Sequence, residues 1–277
     1  MIKIFVLANG RSGTKFLSEL FKYNVNNCIS KHEPFPDMFG KPIYWYQQGN
    51  TMDIQRLFTL KKNRINKYKA SVYIETNHAF LKSFSDAAID SFPDMKLIHL
   101  VRNPIKTAKS EFNRFITFSF LNIHFSNIRG ADGKKPSRYA LTGNEDIYKS
   151  VGTNDITLFQ KYVLQWIEIE NRAIRFLDKY KKHNDCFTMD SPKDFNNIEV
   201  LKQMFKFFNI EPKDINIHIE GKKNKNVKPT IISPEDKKQF DEIINRLPSD
   251  YLKIFQNEPY SKFEWVSMLK TKDSKDI

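Results

Sequence analysis

A polar stretch near the N-terminus has the residue types of an anion-binding loop. Residues 9–15 read Asn-Gly-Arg-Ser-Gly-Thr-Lys, and they lie between an apolar run and a segment whose apolar residues recur at helical spacing. Glycines let a backbone approach an anion closely, and the N–H groups at the start of a helix attract negative charge. Two hydroxyls and two cations add donors, so the stretch predicts a phosphate-binding loop. Its candidate ligand-binding residues are Asn9, Gly10, Arg11, Ser12, Gly13, Thr14, Lys15 and Phe16.

The spacing of the glycines argues against two common nucleotide sites. A nucleotide-triphosphatase loop needs G-x-x-x-x-G-K-[ST], but here Gly13 is the second glycine and no Gly-Lys-Ser/Thr follows it. The pattern G-x-G-x-x-G of dinucleotide-binding folds is not present in this stretch either. A short glycine turn is also compatible with a strand-to-helix connection that binds nothing.

An arginine at the end of a later apolar run is a second candidate for binding phosphate. Residues 97–104 read Leu-Ile-His-Leu-Val-Arg-Asn-Pro, so Arg102 follows the run directly. Open α/β sheets bind ligands at the carboxyl ends of their strands, and a guanidinium suits a bidentate phosphate contact. Ser110 lies about two helical turns beyond Pro104. Taken singly, the two residues also fit a surface ion pair and a helix-surface serine.

Together these two motifs resemble the signatures of the sulfotransferases that use 3'-phosphoadenosine-5'-phosphosulfate (PAPS). The stretch 10–14 is similar to the family's 5'-phosphosulfate loop, with arginine before Ser-Gly-Thr as in its Golgi and bacterial branches. The resemblance implies that Arg102 and Ser110 bind the 3'-phosphate of the cofactor. A looser similarity, which a solvated charge run would also explain, implies a loop over the same phosphate that contains Lys222, Lys223 and Asn224.

Sulfuryl transfer requires positioned reactants and cations that neutralise charge on the leaving oxygen. The candidates are Arg11 and Lys15, and Arg11 takes the place of the family's catalytic lysine. Because arginine stays protonated, it can act only as an electrostatic clamp, whereas Lys15 can also donate a proton. The resemblance implies PAPS as the cofactor and 3'-phosphoadenosine-5'-phosphate (PAP) as the product. The reaction needs no metal and the sequence shows no cluster of metal ligands, so no metal is expected.

A hydroxyl acceptor also needs a base, for which the family uses Glu or His. The run 31–35, Lys-His-Glu-Pro-Phe, resembles the setting of the catalytic glutamate in several branches, and Glu33 is the predicted base. Proline after it favours an extended backbone that can aim the side chain. His32 and His78 are the reserve candidates, and His78 follows a predicted strand where the family lines its acceptor pocket. A solvated loop carboxylate is the alternative for Glu33.

The elements that must position these groups alternate between strands and helices. Such alternation predicts βαβ units with right-handed crossovers. The predicted fold is α/β and three-layered, with a mostly parallel central sheet covered by helices on both faces, and the resemblance implies the P-loop-like sulfotransferase fold. Strands are predicted at 2–8, 71–76, 95–101 and, more weakly, 185–189, and helices at 15–23, 53–68, 83–91, 105–121, 156–182 and within 193–209.

Composition favours a single sulfotransferase domain over residues 1–277. About 40% of the 277 residues are hydrophobic, which is enough for one sizeable core. The aperiodic segment 122–155 is interpreted as an insertion or lid over the acceptor side, and 269–277 as a frayed tail. No apolar run reaches the ~18 residues that span a bilayer, and the first run leads into the glycine loop instead of a cleavage site. The predicted location is therefore cytoplasmic.

The formal net charge of +13 favours a polyanionic partner and keeps other classes open. An atypical P-loop phosphotransferase of the kinase type would need a magnesium-holding Ser/Thr after Gly-Lys and an acidic strand end. A nucleic-acid-binding protein would interleave basic and aromatic residues on one face, whereas the aromatics here sit mostly in apolar periodic runs. A PAPS-binding protein without catalysis is a third alternative. The acceptor, a small molecule or carbohydrate by expectation, and the oligomeric state stay open.

Overall fold

The computed structural model describes residues 1–119, 129, 133, 135–152, 155–219 and 230–269. The described residues form two compact units. One contains those of Met1–Arg102 and Phe176–Lys225, and the other those of Asn103–Arg175 and Asn226–Ile277. The expectation of a single functional domain over 1–277 stays a prediction. Much of the predicted insertion at 122–155, and nearly all of the predicted tail at 269–277, lie outside the described residues.

A parallel sheet forms the centre of the first unit. Within the described residues it has five strands in the order β2-β3-β1-β4-β5, and every neighbouring pair is parallel. The strands are β1 (Ile2–Ala8), β2 (Cys28–His32), β3 (Val72–Thr76), β4 (Lys96–Arg102) and β5 (Cys186–Ser191). The predicted mostly parallel sheet is confirmed, because nearly continuous apolar runs suit strands that are buried on both faces.

Both faces of the sheet are covered within this unit, as the three-layer prediction requires. On one face Ile4 and Val6 of β1 pack in a core that includes Leu17 and Phe21 of the first helix and Phe205 of a late helix. On the other face the ring of Phe5 lies 5.6 Å from Phe80 and 6.1 Å from Phe92, measured between centroids. Successive side chains of a strand point to opposite faces, so β1 serves both cores.

The first unit contains five α-helices among the described residues. One of them was not predicted: it begins after Gly40, with Pro42 in its first turn, and carries the aromatic residues 44–46. The helix predicted at 83–91 is preceded by a five-residue π-helix, Phe80–Phe84. The α-helices are α1 (Thr14–Asn24), α2 (Lys41–Gln47), α3 (Thr51–Lys67), α4 (Ser85–Ser91) and, later in the chain, α8 (Ile198–Phe207).

The second unit is built around the long helix α7 (Leu158–Lys179), whose last four residues belong to the first unit. Trp166 of α7 is fully buried, and its ring stacks on Phe255 with centroids 5.3 Å apart. Lys109 pairs with Asp236 at 2.7 Å. The other α-helices of this unit in the described residues are α5 (Pro104–Phe118), α6 (Asp146–Ser150) and α9 (Pro234–Arg246). No helix in the described part of the chain has the length and hydropathy to cross a membrane.

Candidate active site

The loop between β1 and α1 has the backbone of an anion-binding turn. Arg11 and Gly13 both have positive φ angles, of 65° and 96°, in the left-handed region. Turns that alternate in this way point successive N–H groups into one concave space. The helix α1 begins at Thr14, and among the described residues no side chain caps its first turn. Its first N–H groups therefore add their partial positive charge to the same place.

The hydroxyl of Ser12 is the clearest sign that this loop binds something. Ser12 is fully buried, and its Oγ has no hydrogen-bond partner among the described residues. A buried hydroxyl without a partner costs about 1–3 kcal/mol, so most such groups have a partner in the protein, in water or in a ligand. An anion in the loop would supply the missing acceptor for Ser12.

The loop is supported from behind by the end of β5 and the segment that follows it. Ser191 donates a hydrogen bond from Oγ to the carbonyl oxygen of Ser12 at 2.6 Å. The ring of Phe195 stacks on Phe16 with centroids 4.4 Å apart. A Cβ atom on Gly13 would lie 2.2 Å from Cε2 of Phe195. Position 13 thus requires glycine for two reasons, its positive φ and this close contact.

Arg102 lies at the carboxyl end of β4, as predicted, and it contacts the loop. Its Nη1 donates a hydrogen bond to the carbonyl oxygen of Arg11 at 2.5 Å. β1 and β4 are neighbours, whereas the strands that follow them in the chain, β2 and β5, lie at opposite edges of the sheet. This is the topological switch point at which open α/β sheets bind ligands.

The remaining predicted donor-binding residues lie on several elements or outside the described residues. Asn9 is buried directly after β1, and Lys15 is half-buried in the first turn of α1. Ser110 is buried on α5 in the second unit, so its predicted helix is confirmed while its role at the 3'-phosphate stays a prediction. Lys222, Lys223 and Asn224 lie outside the described residues.

A second group of polar side chains lies at the carboxyl ends of β2 and β3. His32 and Thr76 are opposite each other in the parallel register. Glu33 follows β2 with a positive φ of 48°, so the extended backbone predicted before Pro34 is wrong. Its Oε1 lies 3.4 Å from His78 Nε2 and 3.8 Å from His32 Nε2. The structure therefore brings together the predicted base and both reserve candidates.

The hydrogen bonds of His32 define where its proton sits. Its Nδ1 lies 3.0 Å from the carbonyl oxygen of Thr76, which can only accept. Nδ1 therefore carries a hydrogen, and Nε2 faces Glu33. The carboxylate of Glu33 is one-quarter exposed, so it can meet a substrate from solvent while the two imidazoles lie beside it.

Beneath the loop that carries Glu33 lies a buried ionic network that sequence reasoning missed. Glu75 is fully buried and accepts hydrogen bonds from Lys61 Nζ at 2.7 Å, Tyr73 OH at 2.8 Å and Asn77 Nδ2 at 3.1 Å. Lys61 also donates to the carbonyl oxygen of Pro34 at 3.1 Å. Burial, followed by the charge of Glu75, raises the pKa of Tyr73 well above its usual value, so Tyr73 stays a hydrogen-bond donor.

A second buried lysine was also missed. Lys82 is fully buried in the π-helix, and its Nζ lies 3.2 Å from His78 Nδ1. The sequence does contain a signal for each lysine. Lys61 occupies the apolar stripe of α3 between Phe58 and Ile65, and Lys82 interrupts an apolar run four residues after His78. Charged residues at such positions are seldom fully buried unless they are paired.

Among the described residues, no group of three or more His, Cys, Asp or Glu side chains is arranged to hold a metal ion. The arrangement that the structure does provide is an anion cradle at the switch point and a carboxylate held between imidazoles at the neighbouring strand ends. An enzyme that transfers an anionic group to a nucleophile needs two such features, a site that holds the anion and a group that can accept the proton of the nucleophile.

Comparison with known proteins gives one family. A model of the sulfotransferase domain matches residues 2–185, which contain both sequence motifs and Glu33. No curated protein matches the sequence significantly.

Three solved structures are similar to the chain. A sulfotransferase from Alicyclobacillus acidocaldarius is 14% identical, with a TM-score of 0.47, over 91% of this chain and 96% of the other. The sulfotransferase domain from the curacin biosynthetic pathway is 11% identical (TM-score 0.45; 97% and 82% covered). Mouse sulfotransferase SULT7A1, complexed with PAP, is 13% identical (TM-score 0.45; 91% and 85% covered).

Proposed function

This chain belongs to the sulfotransferase-domain family, and on that premise we propose that it transfers a sulfuryl group from PAPS to a hydroxyl or amine of an acceptor. The bond between sulfur and the 5'-phosphate oxygen breaks, a bond between sulfur and the acceptor atom forms, and PAP leaves. The observation that carries the proposal is the buried hydroxyl of Ser12, which has no partner among the described residues and lies in a turn built for an anion.

The loop would hold the 5'-phosphosulfate of the donor. Its backbone N–H groups and the Ser12 hydroxyl would supply hydrogen bonds to that group. Arg11 and Lys15, the two cations of the loop, would neutralise the charge that develops on the leaving oxygen. Arg11 keeps its proton throughout, so its contribution is electrostatic.

Arg102 would bind the 3'-phosphate while it also holds the loop. A guanidinium has five N–H donors in a planar fork, so one of them can serve the carbonyl of Arg11 while others meet a phosphate. Roles of Ser110, Lys222, Lys223 and Asn224 at the same phosphate are inferred from the sequence resemblance. Their assignment depends on binding measurements with variants.

Glu33 would act as the base on the acceptor. Its side chain is one-quarter exposed beside His78 and His32, so the carboxylate can take the proton of the acceptor hydroxyl. A base with this role contributes about 10²–10⁴ to the rate. No metal is needed, because the cations of the loop provide the charge stabilisation.

Calorimetric titration of the full chain with PAP tests the donor site, with ADP and with ATP plus magnesium as controls. We expect micromolar binding of PAP and much weaker binding of ADP, which lacks the 3'-phosphate. Tighter binding of ATP with magnesium would favour a phosphotransferase instead. Binding of single-stranded DNA in place of PAP would favour the nucleic-acid alternative that the +13 charge leaves open.

A further inference from the structure

Three side chains form a continuous polar path from the protein interior to the carboxylate of Glu33. Lys82 Nζ lies 3.2 Å from His78 Nδ1, and His78 Nε2 lies 3.4 Å from Glu33 Oε1. Lys82 and His78 are 0% and 3% exposed, whereas the Glu33 side chain is 25% exposed. The path therefore ends at the one member that a substrate can reach.

The donor and acceptor properties of these groups define the state of the ring. An ammonium group can only donate, so His78 Nδ1 accepts from Lys82 and carries no hydrogen. The hydrogen of the neutral imidazole must then be on Nε2, the atom that faces Glu33. A carboxylate can only accept, so this N–H faces an acceptor, in an electrostatic contact of 3.4 Å that is not a hydrogen bond in this structure.

The charge of Lys82 also keeps the ring neutral. A second proton on His78 would place two positive charges about 3.2 Å apart in a buried environment, which strongly disfavours the imidazolium. His78 therefore keeps its neutral ring beside Glu33 and does not compete with it for the proton of the acceptor. The other imidazole near Glu33 is that of His32 on β2, whose Nε2 lies 3.8 Å from Glu33 Oε1.

Local structure holds the two side chains in this arrangement. The ring of Phe39 lies 4.6 Å from the ring of His78, measured between centroids. Lys82 lies four residues after His78 and belongs to the π-helix Phe80–Phe84, which widens the turn at this point. Asn77 Oδ1 accepts from the backbone N–H of Ala79 at 2.9 Å and so caps the start of the turn. Short π-helical segments often occur at functional sites.

We infer that Lys82 is a positioning residue that fixes His78 as the neutral Nε2–H tautomer, and that His78 in turn orients Glu33 as the base. The role in sulfuryl transfer rests on the proposed function, whereas the tautomer does not. In the proton-transfer step the O–H bond of the acceptor breaks, its proton moves to the carboxylate of Glu33, and the proton on His78 Nε2 stays in place.

Nitrogen-15 NMR of the full chain, labelled at its six histidines, tests the tautomer directly. A His78→Gln variant identifies the signals of His78. At neutral pH we expect wild-type His78 to be neutral with its hydrogen on Nε2, and Lys82→Met to lose that preference. A ring with its hydrogen on Nδ1, or a protonated ring, in the wild-type protein would overturn the inference even if no variant folds.

Kinetics test the positioning role. The reaction is transfer of the sulfuryl group from PAPS to water, and its rate is measured as release of PAP. Lys82→Met should lower kcat about tenfold, because misplacing a base loses only part of the roughly 10²–10⁴-fold rate enhancement that the base supplies. The KM for PAPS should stay unchanged within about twofold. Because Lys82 acts through Glu33, Lys82→Met should cost little further in a Glu33→Gln background. Lys67→Met, a matched change at an exposed lysine of α3, should have no effect.

The outcomes separate this inference from the proposed function. If wild-type protein neither binds PAP nor releases it from PAPS, sulfuryl transfer is wrong, and the NMR spectra still decide whether Lys82 fixes the ring. If the protein turns over PAPS and Lys82→Met changes the tautomer without changing kcat, the positioning role is wrong while sulfuryl transfer stands.

Discussion

Arg102 and Arg11 are joined by a hydrogen bond from the Arg102 guanidinium to the Arg11 carbonyl oxygen, at 2.5 Å, across 91 positions of sequence. Each residue belongs to one of the two motifs that the sequence analysis identified separately. The bond makes the two motifs one structural unit, since the end of β4 directly supports the loop after β1. A change at Arg102 is therefore expected to affect both the affinity for a ligand and the shape of the loop.

Replacement of Arg102 should remove much of the affinity for PAP. Loss of a charged partner from a buried pair costs about 2–5 kcal/mol, so Arg102→Ala is expected to raise the Kd for PAP by roughly 30-fold or more in calorimetric titration. The Kd of Arg102→Lys should lie between those of the wild type and Arg102→Ala, because an ammonium group keeps the charge but lacks the planar fork of the guanidinium. Arg56→Ala, at an exposed arginine of α3, is the control, and an equal loss in that variant would point to general charge attraction.

Replacement of Ser12 should separate binding from stability. Its Oγ has no hydrogen-bond partner among the described residues, so Ser12→Ala should leave the thermal midpoint of the protein without ligand unchanged or slightly raised. The Kd for PAP should rise about tenfold, the equivalent of ~1.4 kcal/mol for one hydrogen bond. Calorimetry and thermal unfolding measure the two quantities. A clear fall in the midpoint with unchanged affinity would mean that Ser12 serves the fold instead of a ligand.

A methyl group at position 13 should disrupt the loop. Gly13→Ala combines an unfavourable positive φ with a Cβ atom that would lie 2.2 Å from the Phe195 ring, so we expect a loss of about 2–4 kcal/mol in the free energy of unfolding. Gly49 also has a positive φ, of 70°, but has open space around it. Gly49→Ala should thus cost only about 1 kcal/mol. Equal losses in the two variants, measured by chemical denaturation, would show that the contact with Phe195 is unimportant.

Replacement of Glu33 should affect the chemical step alone. Glu33→Gln keeps the shape of the side chain but cannot accept the acceptor's proton, so release of PAP from PAPS should slow about 100-fold or more. The Kd for PAP should not change, because Glu33 follows β2 and the loop follows β1. Glu211→Gln, at an exposed position, is the matched control. Full turnover in Glu33→Gln would exclude Glu33 as the base and leave His32 or His78.

The buried pair of Lys61 and Glu75 should matter for stability. Lys61→Met leaves the carboxylate of Glu75 buried without its counter-charge, which is expected to cost about 3–5 kcal/mol in the free energy of unfolding. Lys61→Met combined with Glu75→Gln should regain part of this loss, because the uncompensated charge is then absent. Lys67→Met, on the exposed face of the same helix, should change the stability by less than about 0.5 kcal/mol. Chemical denaturation of the four proteins measures all of these differences.

Much of the fold followed from local pattern. β1 spans the predicted run 2–8, and β3 and β4 lie within one residue of their predicted bounds, because a strand buried on both faces is nearly all apolar. The helix α2 was not predicted, since its seven residues are too few to show a period and three of them are aromatic. The helix predicted at 83–91 begins three residues earlier, as the π-helix Phe80–Phe84, and sequence spacing does not distinguish a π-helical turn from an α-helical one.

The sequence by itself determined the position of the loop after β1, because this depends on neighbouring residues: glycine at position 13, where φ is positive, and an apolar strand and helix on either side. Only the tertiary structure decided which distant side chains meet. The parallel register of β2 and β3 places His32 opposite Thr76, and with it Glu33 near His78. The buried partners Lys61–Glu75 and Lys82–His78 depend in the same way on packing. Such pairs form because a charged group inside the fold needs a polar or charged partner. The order of residues in the sequence does not show which possible partner lies close to it in space.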